Sequence, residues 1–470
     1  MSINSALAAG ASGLMANSSA LAAIADNIAN VNTTGYKRVD TTFAPNYQVN
    51  GGGEAQYASS GVQGNSALDI STPGLLEQSS TATDVAIDGA GFFVVREDPS
   101  GVGTTDAIFL TRSGSFSANS TGHLVNDAGQ YLYAWPLDGT TTLDPSSLDQ
   151  LEAVNLSSIS GIAQATSNIA INANLNASQT VNAAVVAGTY DPTASANNMA
   201  SGAITPDVQY SVDVFDSQGG LRTVTLSLLR AVEPNEWHAE IHIEPASDIE
   251  VGAPLVDGQI STGMLKFDTN GEIDTTTPLV TAGGTALPLS VSIGTSSNAA
   301  APAAGAVEWA YATGVGAQTL AFDFGTAGTT GGLRQFDSPS VLDSTSVDGA
   351  IFGELAGVEI SADGIITARF TNGLVEDIYQ IPVATVNNPD GLAAVGSGAY
   401  QVTDASGNFT LMEPGSGGSG AIQSYALEAS NVDIASEFAE LIIIQRAYSA
   451  SSRIITTADE MLTEALQMKR

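Results

Sequence analysis

The chain has 470 residues, 43% hydrophobic and 13% charged, with 13 Lys and Arg against 49 Asp and Glu for a formal net charge of −36. That length predicts about two to four domains, and the apolar content excludes wholesale disorder. So acidic a surface argues against nucleic acid and anionic membrane surfaces as partners, and the absence of cysteine excludes disulfides, thiolate metal sites and thiol nucleophiles.

At the N-terminus, Ile3, Leu7, Gly10, Leu14, Asn17, Leu21, Ile24, Ile28 and Val31 alternate spacings of four and three. This heptad seam predicts a helix about 40 Å long, with Asn17 and Gly10 as its weak points. The first basic residue is Lys37, so the start lacks the charged region of a cleavable secretory signal. Asn17, Asp26, Asn27 and Asn30 interrupt the apolar stretch too often for a membrane span, and no membrane insertion is expected.

Between about residues 76 and 425 apolar alternation recurs around Gly, Asn and Asp turns, which predicts β-structure. Examples are Gly91-Phe-Phe-Val-Val-Arg96 and Gln209-Tyr-Ser-Val-Asp-Val-Phe215. The Ala-, Gly- and Thr-rich stretch from about 292 to 330 reads as loops or weak strands. Gly415-Ser-Gly-Gly-Ser-Gly420 reads as a flexible linker. The C-terminal end carries two adjacent helical stripes. One runs Ile434, Phe438, Leu441, Tyr448, Ile455, Leu462 and Leu466. The other runs Ile444, Ala447, Ser451, Ile454, Ala458, Met461, Ala465 and Met468. Two stripes imply packing on two sides, one against the N-terminal helix and one against neighbouring subunits.

Catalytic chemistry finds no anchor, and no catalytic residue, cofactor or metal site is expected. His238, Glu240 and His242 share one strand face and could hold a transition metal, but a solvated strand face is the favoured reading. Asp268-Thr-Asn-Gly-Glu-Ile-Asp274 lacks the ligand spacing of a calcium loop and reads as a hairpin turn. Gly89-Ala-Gly91 leads into a strand, not a helix N-terminus that could receive a phosphate. Nothing near His123 marks Ser120 as an activated nucleophile.

Asp26-Asn-Ile-Ala-Asn-Val-Asn-Thr-Thr-Gly-Tyr-Lys37 closely resembles the N-terminal signature of the flagellar rod, hook and hook-associated proteins. Asp84-Val-Ala-Ile-Asp-Gly-Ala-Gly-Phe-Phe-Val-Val95, Leu110-Thr-Arg-Ser-Gly-Ser-Phe116 and Gly122-His-Leu-Val-Asn-Asp-Ala-Gly129 resemble the family's middle domain. Leu427-Glu-Ala-Ser-Asn-Val-Asp433, Gln445-Arg-Ala-Tyr448 and Ile455-Thr-Thr-Ala-Asp-Glu-Met-Leu462 are more similar to the hook-type than to the rod-type members. Leu333-Arg-Gln-Phe336 looks like the point where the chain returns from an outer domain.

The fold class expected is mixed: a terminal α-helical coiled-coil pair plus discontinuous all-β domains, the outer one inserted into the middle one. Residues 1–35 and 426–470 would form the helical pair, 36–75 a connector, 76–145 and 331–425 the middle domain, and 146–330 the outer domain. The resemblance implies an extracellular structural subunit that polymerises into a flexible tube joining rod to filament. Its implied partners are copies of itself, the rod protein below, the hook–filament junction protein above, the hook cap during assembly, and the flagellar type III export apparatus. A distal rod protein and a secreted β-rich adhesin are the alternatives. Such a subunit needs a retained export address. Phe43-Ala-Pro-Asn-Tyr47 fits, with Phe43 and Tyr47 four apart and Pro45 resisting helix, while packing of both aromatics in the connector is the competing reading.

Overall fold

The computed structural model describes residues 3–47, 59–100, 108–137, 148–159, 161–274, 289–295, 302–325 and 331–467. The chain divides into two compact units. One comprises Met1–Ile159, Ala356–Arg369 and Val375–Arg470; the other comprises Ser160–Leu355 and Phe370–Leu374. The protein is mostly β, with two long helices at its ends.

In the first unit, helix α1 (Ile3–Ala29) leads into an antiparallel hairpin of strands β1 (Val39–Tyr47) and β2 (Ser59–Leu68). The hairpin packs on α1. Gly64 lets the strand lie close on α1, since a Cβ there would come within 3.3 Å of Ala16 backbone. Beyond it lies an 11-stranded sheet. Its middle runs, in spatial order, Val375–Gln380, Tyr131–Pro136, Phe93–Arg96, Phe109–Thr111 and Ala399–Gln401. Alternation along these strands buries both faces. Phe93, Val95, Leu132 and Ala134 enter one core, while Phe92, Val94, Tyr133 and Trp135 enter another. The unit ends in helix α2 (Ile434–Gln467).

The second unit pairs a four-stranded antiparallel sheet with a seven-stranded mixed sheet. The first is formed by Val208–Phe215, Leu221–Arg230, Glu236–Glu244 and Gln259–Lys266. Strict alternation puts Val208, Tyr210, Val212 and Val214 inside one core with Ile169, Ile171, Leu320 and Phe322 of the other sheet. The Ala-, Gly- and Thr-rich stretch thus supplies true strands, Leu289–Thr295, Val307–Trp309 and Gln318–Asp323.

Two expectations move. The second unit runs from 160 to 355 where the sequence suggested 146 to 330. Glu152–Ala153 stays with the first unit because it pairs with Tyr133 and Ala134. Leu333–Phe336 is not a return point, since it pairs in parallel with Ala173–Asn176, and Val341–Val347 then pairs antiparallel with the same strand. Nor is Gly415–Gly420 a free linker. Gly415 N donates to Gly420 O, Gly420 N donates to Ala90 O, and the Ser419 hydroxyl lies within reach of Glu413 O and Ser416 O. A glycine-rich composition permits such a turn as readily as it permits a flexible chain.

Candidate assembly surface

Helices α1 and α2 pack antiparallel. A Cβ at Gly10 would touch Ile455, one at Gly13 would touch Ser451, Ile24 packs with Ile444, and Asn27 meets Glu437. The α1 residues that meet α2 include Gly10, Gly13, Ala20, Ile24 and Asn27, and Asn17, buried between Gly13 and Ala20, continues their spacing of threes and fours. Gly13, Ala20 and Asn27 thus join the aliphatic seam, whose Leu21 and Ile28 pack, with Leu441, against the cluster of Ala20, Ile24 and Ile444. Small side chains let two helices approach closely, whereas leucines would hold them apart. Leu7, Leu14, Leu21, Ile28 and Val31 are left half-buried. The side chains of Ile3 and Leu466 lie outside the described residues.

On α2 neither sequence stripe is buried whole. Ile444 and Ala458 are buried, and Leu441, Ser451, Ile455 and Leu462 are half-buried. Tyr448 of the same band is 44% exposed. Ile434, Phe438, Ile442, Ile443, Ile454 and Met461 are 44% to 64% exposed. At 100° per residue, Ile434, Phe438 and Ile442 line one flank of the packed band, and Ile443, Ile454 and Met461 line the opposite flank. The helix thus presents apolar surface on two sides that its own subunit leaves uncovered.

The end of α1 and the start of α2 are stitched by polar groups whose sequence signal was visible only as the terminal signatures. Asn27 is fully buried. Its amide donates to Val39 O (2.9 Å) and Glu437 Oε2 (3.1 Å), and its carbonyl accepts from Val39 N (2.8 Å) and Tyr36 Oη (3.2 Å). Arg38 donates from Nε to Glu437 Oε1 (2.5 Å) and from Nη2 to Glu440 Oε2 (2.8 Å). Asn431 accepts from Arg38 N and donates to Asp69 O and Thr72 O. Asp433 then caps α2, accepting from Ala435 N at 2.8 Å.

Deeper in the unit, Glu428 accepts from Lys37 Nζ at 2.6 Å and from Arg112 Nη1 at 3.1 Å, all three nearly solvent-free. Gly74 N donates to the same carboxylate and Gly35 N to the Glu428 carbonyl. Burial pulls the Lys37 ammonium below the usual lysine range, with Glu428 opposing it.

The strand His238-Ala-Glu-Ile-His242 is not solvated as its alternation suggested. Glu240 is wholly buried beneath the excursion that joins Asn168–Asn176 to Val208–Phe215. It accepts from Tyr190 Oη (2.9 Å), Met199 N (3.1 Å), Ala200 N (2.9 Å) and Gln259 Nε2 (2.9 Å), and so fastens that excursion to the sheet. Its acceptor sites are filled by these donors. No group of three His, Asp or Glu side chains suited to a metal occurs among the described residues.

Phe43 lies on β1 opposite Gly64 and is 43% exposed; the Tyr47 side chain lies outside the described residues. By length and apolarity Ala6–Ala29 would suffice to cross a membrane, so its scattered polar residues do not exclude a span as the sequence reading held. Here α2 and the β1–β2 hairpin cover part of it, while Met15 stays 73% exposed.

Four family models match consecutive parts of the chain. Residues 7–37 match the flagella basal body rod protein family and 86–183 the flagellar hook protein FlgE/F/G D1 domain. Residues 174–350 match the flagellar basal body protein FlaE D2 domain, and 423–468 the flagellar basal body rod FlgEFG protein C-terminal family. The flagellar hook protein FlgE of Caulobacter vibrioides is 36% identical over the whole of both chains, and that of Rhizobium meliloti 33% identical over the whole of both. Among solved structures, Helicobacter pylori flagellar hook protein FlgE2 matches with a TM-score of 0.44 at 14% identity, covering 75% of this chain and all of that one. Rod-type ends around hook-type β-domains define a structural protein of the flagellar axis. The chain belongs to the flagellar hook protein family. It is a structural subunit of the hook, an extracellular part of the flagellum attached to the basal body.

Proposed function

We propose that α1 and α2 form an antiparallel coiled-coil pair that lines the hook tube, and that the two uncovered flanks of α2 are the contacts that join one copy to the next. The carrying observation is the exposure of Ile434, Phe438, Ile442, Ile443, Ile454 and Met461 on a helix already packed against α1. Burying the open half of each contributes on the order of 1 kcal/mol, so six amount to several kcal/mol per copy. These flanks suit a chain of net charge −36, whose other surfaces repel one another.

In this reading the protein has no catalytic role. The helical ends form the inner part, residues 36–75 the connector, and the two β-units the middle and outer layers. The outer surface is rich in Thr, Ser, Asn and Asp, so its contacts between copies are wet and individually weak. Such contacts slide as the tube bends and turns, which an interlocked dry core would resist. The rod protein would bind below, the junction protein above and the cap at the growing end, after delivery by the type III apparatus using Phe43 and Tyr47. Electron microscopy of the concentrated full chain tests the reading. Hollow tubes are expected, and a persistent monomer at high concentration counts against it.

A further inference from the structure

We propose that Glu437 is the positioning residue that fixes the register of α1 against α2. The stretch of α1 from Gly10 to Ala20 meets α2 through the small residues Gly10, Gly13 and Ala20, with Ile24 and the half-buried Leu21 and Ile28 packing beyond it. Such a stretch discriminates poorly between registers, because one small residue replaces another with little change in fit. In a pairing slipped by one heptad, about 10 Å along the axis, Gly13 would face Ala458, Ala20 would face Ser451 and Ile24 would face Ala447. Each is a small or apolar contact that the seam accepts. What the slip destroys is the polar layer. Asn27 would face Ile444, its amide would lose Glu437, and Arg38 Nε would lose the buried carboxylate that it meets at 2.5 Å. The opposite slip sets the Glu437 carboxylate against Ala20, away from Asn27 and Arg38. A buried polar group without a partner is costly, so one charged layer chooses among registers that the apolar layers leave nearly equal. The register in turn decides the level at which Ile434, Phe438 and Ile442 meet the next copy. The inference concerns a single subunit and stands whether or not those flanks are the contacts between copies.

The natural chain has no cysteine, which makes cross-linking a clean test. A Cβ built at Gly13 lies 3.8 Å from Ser451 Cβ, within the range of a disulfide. Gly13→Cys with Ser451→Cys therefore reports the observed register, and Ala20→Cys with Ser451→Cys reports the slipped one. With Glu437 present, mild oxidation of the full-length chain should cross-link the first pair and leave the second at background, read as the intramolecular disulfide by mass spectrometry. With Glu437→Ala, and with Asn27→Leu combined with Glu437→Leu, the second cross-link should rise at least about tenfold. The apolar double variant removes the polar layer without burying an unpaired charge. If the first pair remains the sole cross-link in both backgrounds, the close fit at Gly10 and Gly13 sets the register and the proposal fails. If neither pair forms, Glu437 holds the helices together instead of choosing their register, and the proposal fails equally.

Discussion

Lys37 and Glu428 stand 391 positions apart in sequence, yet their side chains meet at 2.6 Å with neither open to solvent. Arg112 shares the same carboxylate, so two buried cations rely on one anion. This contact ties the segment after α1, the β-sheet of the first unit and the lead-in to α2 to a single point.

Glu428→Gln should accordingly destabilise the first unit by about 3–5 kcal/mol, the cost of leaving a buried ion without its partner. Lys37→Met should cost clearly less, since Arg112 still neutralises Glu428. Denaturant midpoints of the two variants decide the matter, and equal losses would show that the shared carboxylate is not the critical group.

Buried tyrosines make alkaline stability informative. Burial, followed by Asp343, pushes Tyr210 up to about 12, and burial also raises Tyr36, Tyr190 and Tyr400. A raised folded-state value gives stability that is complete below the ordinary tyrosine range near pH 10 and is lost as pH climbs through the folded value. Lys37 has the opposite sign: its lowered value makes rising pH stabilising, but that gain ends near the ordinary lysine range. The melting temperature should therefore hold to about pH 10 and fall between about 10 and 12, with Tyr210→Phe falling less steeply. A melting temperature that rises across that window would contradict the assignment.

Much of this arrangement was legible in the sequence, and the failures have physical causes. The strands of both units follow alternation that any half-buried sheet must show, as in Val208, Tyr210, Val212 and Val214. The α1 seam was read without Gly13, Ala20 and Asn27, because a search for aliphatics selects Leu14, Leu21 and Ile28 and passes over the small residues that close packing buries beside them. Glu437 and Glu428 were invisible as buried groups, since a carboxylate reads as surface until its distant cations are known. The face of His238, Glu240 and His242 read as solvated because nothing local reveals that residues near Tyr190 and Met199 will cover it. The signatures around Asn27 and Asn431 were visible; their reason, a shared set of hydrogen bonds, needed the fold.

Secretion separates the two readings of Phe43 and Tyr47. Phe43 is well exposed on β1, so its truncation should change the melting temperature by no more than a few degrees. If the pair is an export address, Phe43→Ala with Tyr47→Ala accumulates inside the cell while the purified protein melts and polymerises normally. Normal secretion with impaired polymerisation would assign both residues to packing.

The most direct test is polymerisation of Phe438→Glu combined with Ile442→Glu, on a flank of α2 that α1 leaves open. Leu441→Asp is less informative, because Leu441 packs against Ile24 and Ile444 within the subunit. Sedimentation and electron microscopy of the flank variant should show a subunit that melts within a few degrees of the natural chain yet remains monomeric where the natural chain forms tubes. Tubes of normal length and yield from that variant would contradict the assignment of this flank as the contact between copies.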